Sequence, residues 1–163
     1  MTHYYQTEIP PDVLDFLVDD TEDPAIFSQD GILPSKEDQK IILSTACLQG
    51  RIVLFYNEAI AVIITRRNAY VGNFDTKVSS TASAREVIKG YKAFFEWAKK
   101  ETFYNKLETR TPLEKFAKTM TKAVKGAKLE GVLEKSYMTK EGTMINEYLV
   151  GYVLREVGEP CPC

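Results

Sequence analysis

The sequence predicts a single α/β (α+β) domain whose elements run β-α-α-β-β-β-α-β-α-β-β. Three observations carry this. The chain has 163 residues, 44% hydrophobic and 27% charged, which suits one globular domain at roughly 100–200 residues per domain. A chain of this length buries about 68–70% of its unfolded surface and needs no disulfide or metal staple. Three apolar stretches, Ile52 to Tyr56, Ile60 to Arg66 and Tyr70 to Val78, are joined by short connectors at Asn57-Glu58 and Arg67-Asn68. Links that short demand antiparallel pairing, so these strands form a meander. Finally, 84–102 repeats its apolar residues at helical spacing, giving one long amphipathic helix. The domain is expected over 1–157, with 158–163 as a tail.

In chain order, His3 to Ile9 reads as a short strand with Tyr5 as its core residue. Pro10-Pro11-Asp12 opens a helix, since proline is tolerated in a first turn. Val13, Leu14, Leu17 and Val18 form its apolar face. Thr21 to Pro34 is a loop rich in Asp, Pro and Gly. Ser35 caps a second helix, with Asp38 at its third position. Ile41, Ile42, Thr45 and Leu48 are its expected inner stripe, and Gly50 stops it. After the meander, Ser79-Ser80-Thr81-Ala82-Ser83 leads into the long helix, where Ser83 and Glu86 have the spacing of a capping box. Val87, Ile88, Tyr91, Phe94, Phe95 and Ala98 face inward, and Lys89, Lys92, Glu96, Lys99 and Lys100 face out. Tyr104 to Arg110 is the next strand. Thr111-Pro112-Leu113-Glu114 then starts a helix over 112–126 with a hydroxyl cap, a first-position proline and an early Glu. Leu113, Phe116, Met120 and Val124 are its inner residues, and Gly126 ends it. Lys128 to Met138 and Met144 to Leu154 close the domain as a hairpin around Lys140-Glu141-Gly142.

Composition removes several function classes. No apolar run approaches the ~18 residues of a membrane span, and the first residues lack the basic and apolar regions of a signal peptide. His3 is the only histidine, so Ser-His, Cys-His and poly-His zinc chemistry is not expected, and no metal site is assigned. Of three cysteines, Cys47 falls in a helix and is expected to be packed, while Cys161 and Cys163 sit in the tail. A reducing cytoplasm is the expected compartment. Net charge is −2, unevenly placed: residues 1–40 hold 10 acids and 2 bases, and the rest hold 13 acids and 19 bases. Such a basic body could face an anion, a second subunit or plain solvent. No zinc-finger, helix-turn-helix or RNP signature accompanies it, so nucleic acid is not an expected partner.

The meander feeding the long helix, the strand at 104–110, the passage Lys125-Gly126-Ala127-Lys128-Leu129-Glu130-Gly131-Val132 and the closing hairpin together resemble the GNAT (GCN5-related N-acetyltransferase) fold. The resemblance covers nearly the whole chain. It implies a mixed central sheet that splays open between its fourth and fifth strands to admit acetyl-CoA. The family's Q/R-x-x-G-x-G/A loop lets main-chain N–H groups approach the pyrophosphate at a helix N-terminus. The matching stretch here, 77–85, contains no glycine. If it holds the cofactor, Lys77, Ser79, Ser80, Thr81, Ser83 and Arg85 are the residues to do so. The family's usual tyrosine acid would fall near Lys122, and the helix 112–126 has none; Tyr104 and Tyr137 are the substitutes considered. Glu58, Asp75 and Glu108 are the carboxylates on or beside the central strands that could act as a base. Phe74, Tyr104 or Leu107 could instead fill the cleft.

A chain with this order but without the glycine loop also resembles the small GNAT-like proteins of tailed bacteriophages, of the internal-virion or head-assembly type. That resemblance implies a non-catalytic protein, without cofactor, acting through protein–protein contacts in virion assembly or DNA ejection, in host cytoplasm or virion. Its partners would be virion components or further copies of itself. Lys115, Lys118, Lys122 and Lys125, sharing the outer half of the last helix, would be its partner surface. The alternative is an acetyl-CoA-dependent N-acetyltransferase acting on a small amine or a protein amine, with the acidic loop 19–30 recruiting a cationic substrate.

Overall fold

The computed structural model describes residues 3–5, 7–19, 34–139, 141–156 and 159. Its elements are β1 (His3–Tyr5), α1 (Pro11–Val18), α2 (Lys36–Leu48), β2 (Ile52–Tyr56), β3 (Ile60–Arg66), β4 (Val71–Val78), α3 (Ala84–Glu101), β5 (Lys106–Thr111), α4 (Glu114–Ala123), β6 (Ala127–Met138) and β7 (Met144–Val153). This is the element order read from the sequence. The loop expected at 21–34 falls almost entirely outside the described residues, as do Cys161 and Cys163 of the tail.

The strands form one seven-stranded mixed sheet in the order β1-β2-β3-β4-β5-β7-β6. The meander pairs antiparallel as the short links require. Only β4 and β5 run parallel. Helices cover both faces of the meander half. On one face α1 and α2 bury Val13, Leu17, Leu43 and Cys47 against Leu54, Ala61 and Ile63. On the other, α3 brings Tyr91, Phe94, Phe95 and Trp97 onto Phe55, Ile64 and Phe74. The rings of Phe55, Phe74, Phe94 and Trp97 meet at 5.4–6.2 Å between centroids, tilted and edge-on as aromatic quadrupoles prefer. The Ser83–Glu86 capping box is present in full. At the other end of α3, the buried Arg155 guanidinium donates to the carbonyls of Lys99, Thr102 and Tyr104, a cation on the negative pole of the helix.

Two expectations need correction. The inner stripe of α2 is Gln39, Leu43 and Cys47, whereas Ile41 is 63% and Leu48 69% exposed; Ile42 and Thr45 face solvent too. The helix carries apolar residues on two faces, and its docking to α1 chooses between them: Lys40 Nζ reaches Asp15 of α1 at 2.7 Å, while Gln39 folds back to donate to the Pro34 carbonyl. The second correction is α4, which spans 114–123 rather than 112–126. Thr111 ends β5, and its Oγ1 accepts from the Leu113 N–H in a tight turn. Leu113 becomes the N-cap residue and is 57% exposed rather than inward.

Candidate active site

The sheet opens between β4 and β5. They pair only through Val71–Lys106, Gly72–Leu107 and Asn73–Glu108. Beyond these pairs β4 continues to Val78 and β5 to Thr111 with no pairing between them. At the closed end the backbone of Gly72 is gripped. A Cβ there would lie 2.9 Å from both Ile64 Cγ2 and Leu107 Cδ2 and 3.2 Å from the Tyr104 ring. Leu107 and Tyr104 thus meet at the closed end. Phe74 turns onto α3, with ring centroids 5.5 and 5.7 Å from Phe94 and Phe95.

The parity of the ladders decides which main-chain groups face the opening. Ser79 N–H donates to Ala59 O and Arg67 N–H to Val71 O. Alternation along an antiparallel pair then makes Asn73, Asp75 and Lys77 the β4 residues that exchange hydrogen bonds with β3. The N–H and C=O groups of Phe74, Thr76 and Val78 therefore point away from β3, into the wedge. On the far side Leu154 N–H donates to Asn105 O, and the same parity turns the main chain of Arg110 toward the wedge.

The side chains of the opened part of β4 divide between the two faces of the sheet, as a strand requires. Phe74, Thr76 and Val78 face α3. Thr76 Oγ1 is fully buried there and finds no hydrogen-bond partner among the described residues. Asp75 and Lys77 face the side of α1. Lys77 places its ammonium 5.5 Å from the centroid of Phe16 on α1. Asp75 is half-buried opposite Ile63, and burial pushes its carboxyl above the ordinary aspartate range.

The loop from β4 to α3 leaves main-chain donors open. Ser79, Ala82, Ser83, Glu86 and Val87 all spend their N–H groups inside the protein. Those of Ser80, Thr81, Ala84 and Arg85 meet no acceptor among the described residues. Ser79 Oγ and Thr81 Oγ1 lie 3.0 Å apart, and Arg85 is exposed on the first turn of α3. Five of the six candidate cofactor residues are thus brought together at one helix N-terminus. The sixth, Lys77, lies on the other face of the sheet. Ser83 is engaged in the capping box, whose Glu86 carboxylate is held below its ordinary range by the Ser83 hydroxyl and N–H.

The remaining candidates lie apart from the opening. Tyr104 is buried at the closed end, where desolvation pushes its phenol up. Tyr137 pairs with Ile145, on the part of the β6–β7 hairpin that extends past β5. Glu58 is exposed in the β2–β3 turn. Glu108 sits in an ion network with Arg67 and Lys106, and Lys106 also reaches Glu130 at 2.6 Å. Burial pushes the Glu108 carboxyl up, but Lys106 and Arg67 together outweigh it, and the net shift is downward. Lys115, Lys118 and Lys122 line a shallow groove of about 350 Å³ on α4, with Lys118 paired to Glu114 at 2.6 Å; Lys125 follows the helix, exposed. A second groove, about 630 Å³, lies between Asn57 and Glu58 of the β2–β3 turn and Thr81, Ala82, Glu86 and Lys89. Among the described residues no group of His, Cys, Asp and Glu is placed to hold a metal, and no helix is long and apolar enough to cross a membrane. Thr76 was not among the residues the sequence suggested. Its only signal is that it shares a face with Gly72, Phe74 and Val78.

No protein-family model matches the sequence, and no curated protein matches it. Solved structures do match. A GNAT-family acetyltransferase from Streptococcus pneumoniae is 20% identical, with 94% of this chain and 99% of that chain covered, at a TM-score of 0.63. A variant of the spermidine N-acetyltransferase from Vibrio cholerae is 9% identical, covering 94% and 95%, at a TM-score of 0.75. The ribosomal-protein-S5-alanine acetyltransferase from Vibrio fischeri is 14% identical, covering 76% and 73%, at a TM-score of 0.59. At such identities the likeness is one of architecture. With its single parallel strand pair opening into a wedge beside the N-terminus of a long helix, this chain has the fold of the GNAT acetyltransferases.

Proposed function

We propose that the chain is an acetyl-CoA-dependent N-acetyltransferase acting on an amine. The observation that carries this is the open wedge, with a strand edge of unpaired main-chain groups on one side and unpaired N–H groups at a helix N-terminus beyond it. An extended chain bearing amides, followed by a pyrophosphate, suits both. The main chain of Phe74, Thr76 and Val78 would hold the pantetheine arm as a neighbouring strand would. The N–H groups of Ser80, Thr81, Ala84 and Arg85 would take the phosphates, helped by the positive pole of α3 and the Arg85 guanidinium. Serine and alanine in this loop are small enough for that approach without glycine. Bound acetyl-CoA would supply an activated acetyl group.

Asp75 stands on the opposite face of the same strand, one residue from the open edge. An amine approaching from the α1 side would meet its carboxylate, and Asp75 would take the proton that the nitrogen sheds as the new C–N bond forms and the thioester C–S bond breaks, the CoA thiolate leaving to take a proton from water. A carboxyl raised by burial is better matched to that task near neutral pH than an exposed one. Two of the structural neighbours are named for amine substrates, spermidine and the alanine of a ribosomal protein. This supports an amine acceptor here. The resemblance to non-catalytic phage proteins receives no support from the comparisons, and the open wedge favours the enzyme.

Isothermal titration with acetyl-CoA and with CoA at low salt tests the reading. Micromolar binding of both is expected. No heat at millimolar ligand would overturn it. Acetylation assays on spermidine and on an alanine-terminated peptide then identify the amine.

A further inference from the structure

We infer that Arg110 is a substrate-binding residue, and that the amine acetylated here belongs to a free α-amino acid whose carboxylate pairs with the Arg110 guanidinium while its nitrogen lies at Asp75. The inference rests on the acetyltransferase reading above and names its acceptor. Register places the two side chains together. The last parallel pair is Asn73–Glu108. Asp75 and Arg110 each stand two residues further on, at the same level of two strands that part there. Side chains alternate between faces along a strand, so Asp75 shares the face of Asn73 and Arg110 that of Glu108. Both are on the α1 side of the sheet. On that side α1 and α2 pack over β2 and β3, and Arg110 stands exposed on β5 at the rim of the opening.

Its guanidinium is also unspent. Arg67 is bound to Glu108, and Arg155 to three carbonyls. The Arg110 guanidinium makes no ion pair or hydrogen bond among the described residues. Its cross-strand neighbour on β7 is Leu149, and Glu147, next on that face, does not pair with it. The chemistry then selects the acceptor. Paired strands lie about 4.8 Å apart, and two residues past the last pair the gap has only begun to widen. A carboxylate and a guanidinium across such a gap complement a molecule that carries an amine and an anion close together. An α-amino acid bears both on one carbon. A polyamine would bring a second cation to Arg110, and a peptide would bring an uncharged amide. A phosphate would set two negative charges against one guanidinium. The planar fork of arginine matches a carboxylate with two parallel hydrogen bonds.

Acetylation of the free amino acids, each set against its own α-amide, tests this, with titration of CoA as the control. Wild type should acetylate at least one free amino acid with kcat/KM about 10- to 100-fold above that of its amide, the scale of hydrogen bonds to a charged group. Arg110→Gln should erase the preference, lowering kcat/KM for the acid mostly through KM. It should leave the amide and the affinity for CoA as they were. Arg110→Lys keeps the charge and loses the fork, and should fall between.

Wild type that binds no CoA overturns the acetyltransferase reading itself. Wild type that binds CoA but acetylates no free amino acid, or prefers spermidine or a peptide to all of them, overturns the amino-acid acceptor and leaves that reading standing. An amide as good as its acid removes the carboxylate from Arg110. So does an Arg110→Gln variant that slows acid and amide alike, which would mean a general disturbance of the site. Preference for O-phosphoethanolamine over every amino acid would assign the guanidinium to a phosphate and overturns the inference too. Should Arg110→Gln not fold, Arg110→Lys replaces it, read on the same ratio of acid to amide.

Discussion

The two halves of the β4–β5 junction are built on opposite plans. In the closed half, 71–73 against 106–108, every gap is filled. Leu107, Ile64 and Tyr104 close over Gly72. On the other face Glu108 gathers Arg67 and Lys106, and Lys106 gathers Glu130, whose carboxylate lies where a side chain on Gly151 would stand. Four charges from the β3–β4 turn, β5 and β6 thus brace a parallel pairing only three residues long. In the open half, 74–78 against 109–111, main-chain groups face a gap, a buried hydroxyl finds no partner among the described residues and a carboxyl is raised by burial. The contrast shows where stability has been placed and where it has been given up. A short, tightly locked hinge lets the rest of the two strands stand apart.

The largest effect should come from the open half. Asp75→Asn removes the proposed base while keeping its shape. It should lower kcat/KM by about 10²–10⁴, the usual worth of a positioned proton acceptor. For wild type, kcat/KM should climb with pH through a raised aspartate pKa, and the variant should lose that limb. Stability should move the other way. The folded pKa is raised, so this group's contribution is present below the unfolded value and is lost as pH rises through the folded one. Asp75→Asn should therefore melt no lower than wild type at neutral pH. A variant with unchanged kcat/KM would remove Asp75 from the chemistry.

In the closed half the sensitive element is space. Gly72→Val would drive branched carbons into Leu107, Ile64 and Tyr104, an overpacking that costs about 1–3 kcal/mol. Chemical denaturation should read that loss. Serine at position 72 should lose less.

Charge in the closed half should matter less than space. Glu108 is buried, but Arg67 is 46% exposed, and solvent screens its share. Glu108→Gln should cost about 1 kcal/mol at neutral pH. Here the folded pKa is lowered. The stabilisation is present above the ordinary glutamate value and is lost as pH falls through the folded one. Melting curves of wild type and Glu108→Gln should converge on acidification. Curves that stay parallel would mean the network contributes nothing.

The order of elements was legible because it rests on local rules: periodicity, caps and short links. The Ser83–Glu86 box, the meander and the aromatic face of α3 all belong to that class. What escaped depends on which way a residue faces once packed. The composition of α2 allows two inner faces, and the packing of Leu43 and Cys47 against α1 and the sheet selects one. Thr111 could cap a helix or end a strand, and the pairing of β5 with β7 decides for the strand. The site was half legible for the same reason. Sequence offered Asp75 only beside Glu58 and Glu108, and the loop only as a candidate stretch over 77–85. That Lys77 turns to α1 and Thr76 to α3 follows from strand parity, which the ladder hydrogen bonds set.

The smallest effect tests the mouth of the open half. Glu86 completes the capping box, and its carboxylate accepts from Ser83 N–H at 2.8 Å. That places a negative charge one turn from the N–H groups proposed to receive phosphates. Glutamine can close the same box without the charge. Glu86→Gln should therefore leave the helix intact and tighten CoA binding about two- to threefold at low salt, the scale of one screened surface charge near a helix terminus. The gain should fade at 1 M salt, where the Debye length falls to about 3 Å. The same variant should not alter affinity for a neutral pantetheine fragment, because nothing in that ligand opposes the carboxylate. A gain that persists at high salt, or appears equally for the neutral fragment, would mean that Glu86 acts through the shape of the loop and not through its charge. The anionic end of the ligand would then have to lie elsewhere than beside α3.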